Sequence, residues 1–272
     1  MLKERFIESM VSEDIGRGDL FSRLSQSKPI RAYILAKSEG VFAGREYLEI
    51  FDEKYGLKIE WHTQDGAPFK KGDILFYLEG NSQTLLSLER AILNIALHAS
   101  SIATLTSLYA AKIKKTGVKL LDTRKTRPML RDFEKYAVRC GGGVNHRMGL
   151  DDCLMLKDTH LKTIDNLDIF MQEARQKIPF TSKIEIESEN IEAAKAAMKA
   201  GADIVMCDNM PLEEIKEVVG YRNSCYPHVL LEASGNVTLD TIEEIALTGV
   251  DAISSGSIVH QANWIDLSMK VE

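Results

Sequence analysis

The sequence predicts an α/β protein in two parts: a small mixed N-terminal domain, then a parallel sheet with outer helices whose strand count suggests an incomplete (β/α) barrel. Three observations predict it. Past Gly117 short apolar runs alternate with helical stretches, the pattern of a parallel sheet covered by helices. Over residues 193–205 a helix ends at Gly201 and feeds an apolar strand directly, as barrel units do. Before Leu88 apolar residues alternate or cluster between turn formers without any such repeat. A chain of 272 residues that is 44% hydrophobic can fill a large barrel with a smaller companion.

Along the chain, a short helical opening precedes strands expected at 31–37 and 74–78. The stretch 65–73, Asp-Gly-Ala-Pro-Phe-Lys-Lys-Gly-Asp, reads as an architectural turn ahead of the second of these. Leu88, Ile92, Ile95, Ala99 and Ile102 recur at helical spacing, so 85–115 is one long helix or two in tandem, stopped by Gly117 and bridging the domains. Strands follow at 118–121, 152–157, 183–186, 203–207, 228–231 and 252–254. Helices are expected at 191–199, 212–219 and 239–247.

Charge and cysteine usage exclude several classes. Lys and Arg number 34 against 40 Asp and Glu, a net charge of −6, and the pI is near 5.6. That balance argues against a general nucleic-acid or membrane-surface binder, so any basic cluster is local. Cys140, Cys153, Cys207 and Cys225 form no CxxC pair and have no His at finger spacing, which points to reduced thiols rather than a structural zinc. The N-terminus is charged from its third residue and lacks a signal-peptide core. No apolar run is read as reaching the roughly 18 residues of a membrane span, and a cytoplasmic protein is expected.

The candidate chemistry lies just past the strand ends, which share one rim in a barrel. Arg124, Lys125, Arg127 and Arg131 are followed by Arg139, His146, Arg147 and Lys157. Arg124-Lys125 leave one apolar strand and Lys157 ends another, so these cations should converge on a polyanion: guanidinium groups fork onto carboxylate or phosphate, and lysine acts as a point charge. Gly141-Gly142-Gly143 ahead of His146-Arg147 suggest a backbone that approaches a ligand closely. Glu187 and Asp208 end consecutive strands and face the same rim. They suit acid–base work, metal binding or ribose hydroxyls; cationic neighbours keep them ionised, which favours hydroxyl or magnesium binding. Ser234-Gly235 and Ser255-Gly256 follow the last two strands, where small residues expose amides to a phosphate.

Together these motifs resemble one family. Glu89-Arg90 with Leu93-Asn94, Ile102-Ala103-Thr104, the run Asp122-Thr123-Arg124-Lys125-Thr126-Arg127-Pro128, the run from Gly141 to Leu150, Asp208-Asn209-Met210 and Glu232-Ala233-Ser234-Gly235 are similar, in order and over nearly the whole chain, to quinolinate phosphoribosyltransferase. The resemblance implies an N-terminal α/β sandwich domain over 1–102, completed by about 261–272, and an incomplete (β/α) barrel over 103–260. It implies quinolinate and phosphoribosyl pyrophosphate as substrates, nicotinate mononucleotide as product, and Mg2+ as cofactor. It further implies a homodimer, often built into a hexamer, in which Arg90 enters the neighbouring subunit's site. Quinolinate would meet Arg90, Arg124, His146, Arg147 and Lys157. Phosphoribosyl pyrophosphate with Mg2+ would meet Lys125, Lys157, Glu187 and Asp208, while Ser234, Gly235 and Gly256 would take the 5′-phosphate. The sequence departs from the family at Ser101 and Asn236, where glycine is usual, and at Thr159, where asparagine is usual; none of these removes a charged contact.

Overall fold

The computed structural model describes residues 3–272. The chain forms two compact units. The first contains the residues up to Ser107, Asp132–Gly142 and Gln261–Glu272; the second contains Leu108–Arg131 and Gly143–His260.

In the first unit β1 (Pro29–Ala36), β3 (Lys58–Trp61), β5 (Ile74–Asn81) and the last strand, β12 (Leu267–Val271), form an antiparallel sheet in the order β12-β1-β5-β3. Ala32, Ile34 and Ala36 of β1 are buried at every second position, the alternation of a strand with one face on a core. β2 (Gly40–Val41) and β4 (Pro68–Phe69) pair in a short ladder. The helices of this unit begin with α1 (Lys3–Ile15), α2 (Leu20–Leu24) and α3 (Arg45–Tyr55). Asp65 accepts the Gly44 and Arg45 amides at 3.0 and 3.2 Å, so the turn anticipated at 65–73 anchors the start of α3 as well as leading into β5. α5 (Arg131–Cys140) contributes Phe133, whose ring lies 5.4 Å from Phe6 and 4.9 Å from Tyr47.

α4 (Ser82–Ile113) is a single helix, and Leu88, Ile92, Ile95, Ala99 and Ile102 are all buried. By length and mean hydropathy, 1.4, it also qualifies as a membrane span, contrary to the sequence reading, but 67% of its most apolar stretch is buried inside the protein. That burial is the mark of a core helix.

The second unit is built on six parallel strands: β6 (Lys119–Leu121), β7 (Leu154–Leu156), β8 (Ile184–Ser188), β9 (Ile204–Asp208), β10 (Leu230–Ser234) and β11 (Ala252–Ser254), in the order β6-β11-β10-β9-β8-β7. β6 and β7 are the two edges and do not pair with each other, so the barrel is incomplete. Between the strands run α6 (Asp158–Leu161), α7 (Leu167–Lys177), α8 (Ile191–Lys199), α9 (Leu212–Cys225) and α10 (Ile242–Ala246), with α11 (Ser257–His260) after the last. The unit α8-to-β9 shows the local logic. Asn190 caps α8 by accepting the Ala193 amide, and Gly201, at φ 88°, turns the chain into β9. The helix expected at 239–247 is shorter because Thr238 and Thr241 bond each other's amides in a turn at 3.0 and 3.3 Å before α10 begins. Among the elements that lie where none was expected are α3, α5, α7, β3 and β12.

Candidate active site

The C-terminal ends of the six strands surround a cavity of about 430 Å³, within the range of small-ligand sites. Its lining includes Arg124, Lys125, His146, Arg147, Lys157, Glu187, Asp208, Ser234 and Gly235, which come from the ends of β6 to β10 and the loop before β7. The expected convergence of cations and acids on one rim is therefore present.

That loop is fixed from the β6 side. Val144 donates to Leu120 O at 2.8 Å, and Asp122 donates back to Val144 O at 3.2 Å. Asp122, fully buried, accepts the His146 amide at 2.8 Å and Asn145 Nδ2 at 2.6 Å. Arg147 is aimed by donating to Cys153 O at 3.0 Å and to Met155 Sδ at 3.4 Å. Desolvation, reinforced by the neighbouring Arg147 and Arg131, presses the Arg124 guanidinium below its ordinary pKa. Crowding like charges in this way is unfavourable unless an anion arrives to share them.

On the opposite side Lys157 is ion-paired with Glu187, so this acid orients a cation as well as facing the cavity. Asp208 accepts Asn209 Nδ2 at 3.0 Å, and Asn209 Oδ1 in turn accepts Asn236 Nδ2 at 2.9 Å. Asn209 and Asn236 are both left-handed, at φ 54° and 47°, and flank Gly235 at φ 90°. A Cβ at Gly235 would lie 2.3 Å from the Asn209 side chain. Backbone strain of this kind gathers at functional sites.

Beneath the cavity lies a layer the sequence reading did not single out. His146 Nε2 is 3.2 Å from both Glu185 Oε2 and Glu232 Oε2, and those carboxylates are buried. Burial opposes a charge on His146 and the two carboxylates favour one, and the balance raises its pKa. The Arg147 amide donates to Nδ1 at 2.7 Å, which requires that nitrogen to be unprotonated, so the geometry holds the ring as the Nε2–H tautomer facing the carboxylates. Burial also pushes the Glu185 carboxyl above its ordinary pKa. The signal was available: Glu185 and Glu187 are two apart on β8 and so share a face, and Glu232 opens the Glu-Ala-Ser-Gly motif.

Three sequence expectations fall elsewhere, and Arg90, expected in a neighbouring subunit's site, is also outside this lining. Ser255 is buried, its hydroxyl bonds Ser257 and its amide donates to Leu121 O at 3.0 Å, so it turns away from the cavity. Gly256 does not line the cavity; it lies beneath Lys125 and Thr123, whose atoms a Cβ there would meet at 3.0 and 3.2 Å. The glycine run is not among the residues lining the cavity, and its first member packs against α4: a Cβ at Gly141 would strike Ala103 O at 2.4 Å. Arg90 is exposed on α4 in the first unit and does not line the cavity.

Comparison with known proteins gives a consistent picture. Residues 19–100 match the quinolinate phosphoribosyl transferase N-terminal domain and residues 102–270 its C-terminal domain. The chain is 38% identical to a probable carboxylating nicotinate-nucleotide pyrophosphorylase of Methanothermobacter thermautotrophicus, covering 97% of each. It is 37% identical to the Bacillus subtilis counterpart, covering 98% of this chain and 93% of the relative. Among solved structures, nicotinate-nucleotide pyrophosphorylase from Francisella tularensis superposes with a TM-score of 0.90 at 34% identity, covering 99% of this chain and 96% of that one. The Ehrlichia chaffeensis enzyme gives 0.91 at 32%, covering 98% of each.

Proposed function

The chain belongs to the quinolinate phosphoribosyltransferase family and catalyses the transfer of phosphoribose from phosphoribosyl pyrophosphate to quinolinate in NAD biosynthesis, and on that premise we propose how its residues divide the work. The observation that carries the assignment is the single cavity in which Arg124, Lys125, Arg147 and Lys157 face Glu187 and Asp208.

Arg124, Arg147 and Lys157 take the two quinolinate carboxylates, and His146 forms the wall beside them. Lys125 and Lys157 face the pyrophosphate, Glu187 and Asp208 the ribose side, and Ser234 with Gly235 the 5′-phosphate. The quinolinate ring nitrogen attacks ribose C1, the N–C1 bond forms as the C1–O bond breaks, and the pair of that bond leaves with pyrophosphate. No side-chain nucleophile is needed; alignment and preorganised cations lower the barrier. The alkylated ring is then a cationic electron sink. Its 2-carboxylate leaves as carbon dioxide, the bonding pair stays on the ring carbon, and a proton from solvent completes the product.

Mg2+ suits the donor set. Glu187 and Asp208 offer hard carboxylate oxygens on neighbouring strands, and among the described residues Asp208 has no cation within ion-pair distance. Bound there, Mg2+ would neutralise pyrophosphate charge. Arg90, exposed and not among the residues lining the cavity, fits donation to a neighbouring subunit in a homodimer or hexamer. Four free thiols suit a reducing, cytoplasmic setting.

The test is release of carbon dioxide and pyrophosphate with quinolinate, beside nicotinate as a monocarboxylate control. Equal turnover of both acids refutes the dicarboxylate reading.

A further inference from the structure

We propose that Glu185 and Glu232 are positioning residues for the quinolinate half of the cavity: from the layer beneath they hold the His146 ring, whose other nitrogen takes the Arg147 amide, so that Arg147 stands ready to grip a carboxylate. This rests on the reading of Arg147 as a quinolinate ligand.

The two carboxylates are 0% and 2% exposed. Both come within 3.2 Å of His146 Nε2, yet neither oxygen of Glu185, nor Oε1 of Glu232, has a hydrogen-bond partner. As a stability device the pair is poor. Buried charge is expensive to desolvate, and apolar side chains of similar volume are commonly neutral or stabilising in its place. What the pair does secure is the ring. With Nε2 turned down to the carboxylates and Nδ1 accepting the Arg147 amide at 2.7 Å, neither ring nitrogen remains for a ligand, so His146 acts through Arg147 rather than on substrate. A strut of this kind is how a binding group is held close to its productive geometry. The groups meeting the ring are Glu185 from β8, Glu232 from β10 and the Arg147 amide from its own loop, while Asp122, just past β6, takes the His146 backbone amide.

The experiment compares Glu232→Leu, Glu232→Gln and Glu185→Leu with Arg147→Ala, reading KM for each substrate, quinolinate binding by calorimetry, and melting temperature. Glu232→Leu and Glu185→Leu are each expected to raise the quinolinate KM at least about tenfold and the phosphoribosyl pyrophosphate KM by less than about threefold, with melting temperatures at or above the parent's. Glu232→Gln, whose amide oxygen still accepts from Nε2–H, should recover quinolinate KM to within about threefold of the parent. In 15N spectra of the parent, with His146 assigned by its loss in His146→Asn, Nε2 should stay protonated and Nδ1 unprotonated with quinolinate bound.

The proposal is overturned by a parallel rise in both KM values, by an unchanged quinolinate KM in the folded leucine variants, or by melting temperatures that fall in step with activity. A proton on Nδ1 in the quinolinate complex overturns it too, as does a stoichiometric metal lost on Glu232→Leu, since the three groups' ligand atoms lie within 4.8 Å of one another and would then be a cation site. If Arg147→Ala leaves quinolinate binding intact, the reading of the cavity's cations fails and the proposal falls with it, which separates the two failures.

Discussion

Replacing Arg147 by alanine isolates the quinolinate half of the reaction. The side chain is intermediate in exposure and spends part of its fork on Cys153 O and Met155 Sδ, so one face remains for a carboxylate. A hydrogen bond to a charged partner contributes about 1.5–3 kcal/mol. Two effects modify that figure. Truncation leaves Cys153 O without its donor, which adds to the loss, and it removes a like charge beside Arg124, which offsets part of it. The net expectation is about 2 kcal/mol, or roughly a thirtyfold weaker quinolinate complex. Phosphoribosyl pyrophosphate binding should change by no more than about threefold, because Lys125 and Asp208 reach the cavity from other strands. Titration calorimetry of both ligands against parent and variant reads this directly. Equal losses for the two ligands refute the assignment, and a melting temperature lowered by several degrees would transfer the effect to folding.

Three other outcomes follow from the same geometry. Turnover should fall to background in excess chelator and return with added Mg2+; undiminished turnover by pyrophosphate release rules out the carboxylate pair as a metal site. Asn236→Gly keeps a residue at ease at φ 47° while cutting the Asn236–Asn209–Asp208 chain, so the phosphoribosyl pyrophosphate KM should rise about two- to fivefold at constant melting temperature; an unchanged KM leaves the chain without a role. Burial pushes the Cys140, Cys153 and Cys207 thiols up to about 12, 11 and 12, so a disulfide reagent near pH 8 should label Cys225, which is exposed, and reach the others only after unfolding. Rapid labelling of more than one thiol in the native chain contradicts this.

The parallel strands were legible because each is an apolar run that ends in charged or small residues, and those endings are the site. Arg124, Lys157, Glu187 and Asp208 could be placed on one rim from the order of residues alone, since a parallel sheet has only one C-terminal edge. What the sequence concealed depended on long-range pairing. β12 is a short mixed strand, Leu-Ser-Met-Lys-Val, that exists because β1 offers it a free edge. The glycine run misled because flexibility and close packing leave the same residue type, and only the approach of α4 to Gly141 distinguishes them. Ser255 misled for a related reason: its hydroxyl and amide have partners inside the protein that no local motif announces. Glu185 was hidden in plain alternation with Glu187, because one looks into the cavity and the other into the layer below.

The charge of the molecule and the charge of its cavity have opposite logic. A chain with net charge −6 offers no bulk attraction to two anionic substrates, so the four cations at the rim must act at short range. Cations held this closely repel one another, Arg147 and Arg131 adding to the desolvation that lowers Arg124, and an all-basic pocket would either open or recruit adventitious anions. Here Asp122, Glu185 and Glu232 lie buried against the rear of the site, while Glu187 and Asp208 face the cavity itself. The acids hold the rim together in the absence of substrate without competing for it at the front, where, among the described residues, only Lys157 of the four cations is in an ion pair. Binding is then an exchange in which substrate oxygens take over guanidinium and ammonium protons that are positioned in advance, so little reorganisation remains for the chemical step. On this account affinity should fall only modestly between low and physiological salt, because the decisive contacts lie well inside a Debye length of about 8–10 Å. A steep salt dependence of both KM values would instead mean that long-range attraction gathers the substrates.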